Sequence, residues 1–169
     1  MISEVYRKGR DAKEASYVLQ TAGTDVKNKA LAYIADALMA HSDAILSANA
    51  EDLKRAKEKG MAPAMVDRLT LTKERISAMA EGVRQVIDLR DPSGIVLDEF
   101  TRPNGLAIKK VSVPLGVIAI IFESRPNVTV DAAALCIKAG NACVLRGGSE
   151  AIASNTALTS VIRQGLKAA

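Results

Sequence analysis

The sequence predicts an α/β protein in three successive parts. These are a helical N-terminal segment over 1–93, a β-hairpin over 94–113, and from 114 to 169 the first β-α-β unit of an incomplete parallel sheet. Three observations carry this. Apolar residues recur at helical spacing through the first ninety positions. After Gly94 the pattern becomes strand-like on both sides of a turn. Finally, VPLGVIAIIFESRPNVTVDAAALCIKAGNACVLRGGSE over 113–150 places a helix between two short, unbroken apolar runs, the arrangement of a parallel crossover.

Residues 3–19 carry Val5, Ala12, Ala15, Val18 and Leu19 on one side and charges opposite, an amphipathic helix. Thr24 and Asp25 are placed to cap a second helix, whose stripe is Leu31, Ile34, Ala35 and Leu38 and whose end is at His41 and Ser42. The chain reads helical again from Asp43, with Asn49 and Asp52 as caps of a restart that stops at Gly60. Residues 64–69 form a short helical turn. Thr72 opens a further helix, with Ile76, Met79, Ala80, Val83, Val86 and Ile87 at helical spacing until Asp91 and Pro92 break it.

Residues 95–100 and 106–113 are strands joined across Arg102, Pro103, Asn104 and Gly105, an amphipathic hairpin suited to an edge or an oligomer contact. The run 117–122 is apolar throughout, as in a strand covered on both faces. Residues 132–138 are helical, Gly140 ends that helix, and 142–145 form the next buried strand. Ser149 is placed to cap a last helix through Leu158, Val161, Ile162 and Leu166.

Composition excludes several classes. With 49% hydrophobic and 25% charged residues the chain is neither disordered nor membrane-resident, and its longest apolar segment is far short of the roughly 20 residues that span a bilayer. Aromatics are only 3%, so aliphatic side chains must pack the core. The net charge of +4 is interleaved (Arg7, Lys8, Arg10, Asp11, Lys13, Glu14) rather than clustered, which gives nucleic-acid binding no support. No apolar run of signal-peptide type opens the chain, so a cytoplasmic location is expected. Cys136 and Cys143 sit in apolar surroundings without paired spacing, arguing for buried structural cysteines rather than a disulfide or zinc site. His41 is the one histidine, which rules out Ser-His or Cys-His machinery and a multi-histidine metal site within these residues.

Two turns carry candidate chemistry, both at carboxyl ends of strands, where open α/β sheets gather ligands. In Arg146, Gly147, Gly148, Ser149 and Glu150 the glycines let the backbone approach a ligand, and Arg146 can hold a nucleotide phosphate or ribose. The bland reading is a tight β-α turn with no ligand. In Glu123, Ser124, Arg125, Pro126 and Asn127, Asn127 can donate to a developing oxyanion and Arg125 can meet an anionic substrate. Alternatively, Asn127 is only a helix N-cap and Glu123 pairs with Arg125.

The stretch VPLGVIAIIFESRPNVTVDAAALCIKAGNACVLRGGSEAIASN resembles the gamma-glutamyl phosphate reductase family, also called glutamate-5-semialdehyde dehydrogenases. NKALAYIADALMAHSDAILSANAEDLKRAKEKGMAPAMVDRLTLTKERI looks like the helical N-terminus of the same enzymes, so the resemblance covers essentially the whole chain. ESRPNVTVD and LRGGSEA are its most specific parts and separate it from the wider aldehyde dehydrogenase superfamily.

The resemblance implies a Rossmann-like NADP(H)-binding sheet and the reduction of L-glutamyl 5-phosphate to L-glutamate 5-semialdehyde in proline biosynthesis. A cysteine thiolate attacks the acyl phosphate, phosphate leaves, and hydride reduces the thioester. It places Arg146, Gly147, Gly148, Ser149 and Glu150 on the cofactor and Asn127 at the oxyanion, with Glu123, Ser124 and Arg125 on the substrate side. It also implies a homo-oligomer and a catalytic cysteine in a second α/β domain beyond residue 169, since neither Cys136 nor Cys143 matches its motif. The chain by itself is then expected to be inactive. The alternatives are a non-catalytic oligomerising piece or another aldehyde dehydrogenase-like acyl reductase.

Overall fold

The computed structural model describes residues 3–169 and turns the helical periodicity of the first part into five helices: α1 Glu4–Thr21, α2 Thr24–Ala40, α3 Ser42–Glu58, α4 Pro63–Leu69 and α5 Lys73–Asp88. The hairpin follows as β1 Val96–Thr101 and β2 Ala107–Val111. Then come β3 Val117–Ile121, α6 Asn127–Lys138, β4 Ala142–Arg146, a 3-10 turn Ser149–Ala151 and α7 Ile152–Ala168. The class is α/β, rich in helix, with two small sheets. β1 and β2 pair antiparallel, while β3 and β4 pair parallel with α6 as their crossover.

The core follows from the helical stripes. Leu31, Ile34, Ala35 and Leu38 of α2 pack with Ile76, Met79, Ala80 and Val83 of α5, Val130, Ala133, Ala134 and Ile137 of α6, and Leu158, Val161 and Ile162 of α7. A Cβ at Gly165 would lie 2.8 Å from the backbone of Ile34, so α7 and α2 approach as closely as they do because that position has no side chain. The Lys27 ammonium at the start of α2 pairs at 2.5 Å with Asp91, just past α5. Both side chains are nearly buried, and the Thr24 hydroxyl donates to the same carboxylate at 2.7 Å.

Several capping expectations need correction, and one cause accounts for most of them: the polar side chains serve distant segments rather than their own helix. Thr24 reaches Asp91, and the N-cap position of α2 belongs to Gly23. Asn49 and Asp52 do not cap a restart, because α3 runs unbroken through them and both side chains are buried. Asn49 donates to the Leu69 carbonyl and Ser154 Oγ and accepts from Leu71 N–H. Asp52 accepts from Ala153 N–H, Ser154 N–H and the Ser154 hydroxyl, so the carboxylate that caps α7 comes from α3. Ser149 lies in the 3-10 turn and makes no cap. Thr72 caps α5 through Arg75 N–H, as its position suggests.

Two coverage expectations also change. β3 is not covered on both faces, since Ala119 and Ile121 are exposed and β4 is its one strand partner among the described residues. On α1 the buried position is Ser16, while Val5, Tyr6, Tyr17 and Val18 stay in solvent. The helix of 132–138 begins five residues earlier, at Asn127, so that the turn before it is short. Among the described residues no helix is long and apolar enough to cross a membrane.

Candidate functional site

Parallel pairing with Val117 opposite Ala142 brings Ile121 opposite Arg146, so both strands end at the same level. The Phe122 N–H to Arg146 carbonyl bond, at 3.1 Å, extends the ladder one residue further. The two turns therefore lie side by side. Glu123 through Pro126 fold tightly, with Arg125 N–H donating to the Glu123 carbonyl at 2.8 Å and Val128 N–H to the Arg125 carbonyl at 3.0 Å.

Ser124 is buried, and its hydroxyl donates to Glu150 Oε1 at 2.5 Å, joining one turn to the other. That bond and the Glu150 backbone N–H, with lesser help from the Ser149 hydroxyl and the charge of Lys59, hold the Glu150 carboxyl below its ordinary range against the opposing effect of burial. Arg146 stands exposed at the carboxyl end of β4, in no ion pair among the described residues. A Cβ at Gly147 would fall 2.2 Å from Asn155 Nδ2 and about 3.1 Å from the Phe122 ring, so glycine is demanded there by the protein's own packing. At Gly148 a Cβ would meet the Glu150 carboxylate at 2.2 Å.

Asn127 occupies the first turn of α6, with Pro126 at the N-cap position, so the reading of Asn127 as that cap is corrected. One N–H of its amide donates to Asp131 Oδ2, one turn along, at 3.1 Å, which leaves the second N–H free of that bond. Glu123 and Arg125 are both exposed and form no side-chain ion pair with each other; the turn links them through backbone instead. Arg125 lines two adjoining clefts, one of about 220 Å³ with Met65, Arg68, Phe122 and Ser124, the other of about 420 Å³ with Arg68, Asn127 and Asp131.

The cysteines stand apart from the turns. Cys136 is buried within α6 and Cys143 partly buried in β4, and both are free thiols. The neighbouring Cys136 thiol and burial push the Cys143 thiol above its ordinary range. His41 is exposed at the junction of α2 and α3, where its backbone N–H closes α2 on the Ala37 carbonyl.

Two residues at the site carried no sequence signal. Asn155 accepts from the Thr129 hydroxyl at 3.0 Å, tying α7 to α6, while its Nδ2 is buried without a partner beside Gly147. Arg68 reaches the turn from α4, more than fifty positions earlier.

No family model matches the chain. It is 52% identical, over 166 residues and 98% of its length, to a gamma-glutamyl phosphate reductase of Anoxybacillus flavithermus, and spans 40% of that relative. Its backbone superposes with a TM-score of 0.97 on a crystal structure of gamma-glutamyl phosphate reductase from Thermotoga maritima, at 46% identity, covering 98% of this chain and 40% of that one. A probable aldehyde dehydrogenase from Listeria monocytogenes, 17% identical over 98% of the chain and 34% of its own, shares the fold with a TM-score of 0.72. The chain thus spans about two-fifths of the length of the relatives it matches.

Proposed function

We propose, from a chain that is the counterpart of the N-terminal two-fifths of a gamma-glutamyl phosphate reductase, that the whole protein reduces L-glutamyl 5-phosphate to L-glutamate 5-semialdehyde with NADPH. Phosphate is released, and the step serves proline biosynthesis in the cytoplasm. The observation that carries this reading is the superposition of 98% of this chain on that enzyme at 46% identity, which a shared fold alone does not produce.

The donor set at the β4–α7 turn fits a dinucleotide. Arg146 offers an exposed guanidinium for phosphate or ribose, and Glu150 offers an ionised carboxylate for ribose hydroxyls. The Gly147–Gly148 backbone and Ser149 lie between them. NADPH, when bound, supplies the hydride.

The geometry supports the following roles for this chain's own residues. The free N–H of Asn127 donates to the substrate carbonyl oxygen as charge develops on it, while Asp131 holds the other N–H and so orients the amide. Arg125 attracts the anionic substrate, and Ser124, which lines the smaller cleft beside it, contacts the substrate side while its hydroxyl holds Glu150 in place. Glu123 completes the substrate-side turn. The nucleophilic thiol is assigned to a cysteine outside these residues, since Cys136 is buried within α6 and Cys143 lies partly buried in β4 rather than in either turn. The hairpin, whose Val96, Leu97, Phe100 and Val111 are all exposed, is the proposed contact for a homo-oligomer.

The test is an assay of phosphate-dependent oxidation of glutamate 5-semialdehyde. It compares the chain alone with the chain fused in frame to the remaining part of the Thermotoga maritima enzyme. The fusion is expected to be active and the chain alone silent. A folded fusion that ignores the semialdehyde while oxidising unrelated aldehydes refutes the assignment.

A further inference from the structure

We propose that the larger cleft, between α4, α5 and the first turn of α6, holds an α-amino-acid head group, with Arg68 and Arg125 on its carboxylate and Asp131 on its ammonium. The proposal deepens the reductase reading by naming what selects a glutamyl substrate at that site, and it rests on that reading.

The charges in the cleft sort themselves by their partners. Arg75 is consumed by the protein: it donates to the carbonyls of Asp67 and Thr70 at 2.6 and 2.7 Å and to Asp67 Oδ1 at 2.9 Å, so that Arg75 and Asp67 cancel and form a fixed wall. Arg68 and Arg125 have no ion pair among the described residues, and both line the larger cleft and the smaller one beside Ser124. Asp131 has no cation within ion-pair distance among the described residues. Its one hydrogen-bond donor is the neutral amide of Asn127, and desolvation raises its carboxyl above the ordinary value. Glu123 borders only the smaller cleft.

What remains is two guanidinium groups and one carboxylate, unneutralised, around a space of about 420 Å³, inside the roughly 300–1,000 Å³ range of small-molecule sites. A carboxylate with an ammonium on the adjacent carbon matches that set, whereas a simple anion leaves Asp131 repelling it. Asn127 lines the same cleft, so a ligand anchored by its head group extends its reacting end past the proposed oxyanion donor.

The experiment is a 15N-resolved NMR titration of the 169-residue chain with L-glutamate, with glutarate, which lacks the ammonium, and with 4-aminobutyrate, which lacks the α-carboxylate. L-Glutamate is expected to move the Arg68, Arg125 and Asp131 signals and to bind at least about tenfold more tightly than either analogue, the size of one lost charge-assisted contact. Arg68→Gln should weaken glutamate about tenfold, and Asp131→Asn should bring glutamate and glutarate to equal affinity, both variants keeping the parent melting temperature. No movement of those signals at ~50 mM L-glutamate, or equal binding of glutarate by the parent chain, overturns the proposal. The two readings fail separately. Glutamate binding here beside an inactive fusion sinks the reductase and leaves this site, whereas an active fusion whose semialdehyde KM is unmoved by both variants sinks the site alone.

Discussion

The hydroxyl of Ser124 meets Glu150 Oε1 at 2.5 Å across 26 residues of sequence, and this single bond couples the turn after β3 to the turn after β4. Parallel register guarantees only that the two strands end together. The bond goes further, because it fixes the carboxylate that faces the proposed cofactor by means of a buried side chain from the substrate-side turn. A change on one side of the site is therefore felt on the other.

Ser124→Ala removes the largest cause of the lowered Glu150 carboxyl, so that group should titrate closer to 4.5, the value it has unperturbed. Its folded value lies below its unfolded one, so the stabilisation is present above about 4.5 and is lost as pH falls through the folded value. The expected outcome is a higher titration midpoint for the Glu150 side-chain carboxyl, followed by 13C NMR. The stability gap between parent and variant should be open at pH 7 and narrow under acid. An unshifted Glu150 titration in the variant would show that the bond does not set its charge.

Asp52→Ala should be among the most damaging single changes in the chain. The carboxylate is fully buried and accepts from two backbone N–H groups and the hydroxyl of Ser154 at the start of α7, besides the Arg55 guanidinium. Its loss strands those donors in the interior and uncaps a 17-residue helix, a cost of about 2–4 kcal/mol. Urea unfolding would measure it. Ser154→Ala, which leaves both backbone bonds in place but strands the buried Asn49 N–H that donates to the hydroxyl, should cost roughly 1–3 kcal/mol.

How much of this was legible depended on the range of the interaction. The stripe Leu31, Ile34, Ala35, Leu38 is buried as its spacing requires, because periodicity reports one face of one helix. The adjacency of Glu123–Pro126 to Arg146–Glu150 was equally legible, since a β-α-β crossover puts successive strand ends together. Ser149 and Asp52 show where such reading stops. A serine before a helix looks like a cap, and nothing local reveals that the carboxylate of Asp52, 102 residues upstream of Ser154, has taken the position. Asn155 and Arg68 were hidden for the same reason, their roles being set by which helices pack beside the turns. The run 117–122 misled in the opposite sense, because an apolar strand states what it suits and not what covers it among these residues.

The Lys27–Asp91 pair predicts a second acid-sensitive point. Burial raises the Asp91 carboxyl, but the hydrogen bond from Lys27, the Ser93 N–H, the Thr24 hydroxyl and the charge of Lys27 outweigh it, and the value falls from 3.8 to about 2. The folded value is the depressed one, so this stabilisation is complete above about 4 and disappears as pH drops from there towards 2. Lys27→Met strands the carboxylate and should cost about 3 kcal/mol at pH 7, with the deficit shrinking below pH 4, whereas Lys27→Met with Asp91→Leu should recover much of the loss. Thermal unfolding of both variants across pH 2–7 checks this.

Gly147 and Gly148 are adjacent but should respond oppositely to alanine. Gly147 avoids the left-handed region, so the objection to a side chain there is one of space: its Cβ would lie 2.2 Å from Asn155 Nδ2 and against the edge of the Phe122 ring. Asn155 is also held by Thr129, so it cannot retreat without breaking the link between α6 and α7, and Gly147→Ala should cost about 1–3 kcal/mol. Gly148 has φ −64° and ψ 150°, ordinary for alanine, and its Cβ would meet only the Glu150 carboxylate, the far end of a flexible side chain. Gly148→Ala should leave the melting temperature close to the parent's and instead push Glu150 off Ser124, so that the Glu150 carboxyl rises as it does in Ser124→Ala. Melting curves and the Glu150 13C titration, measured on the two variants side by side, separate a glycine that the packing needs from one that the site needs.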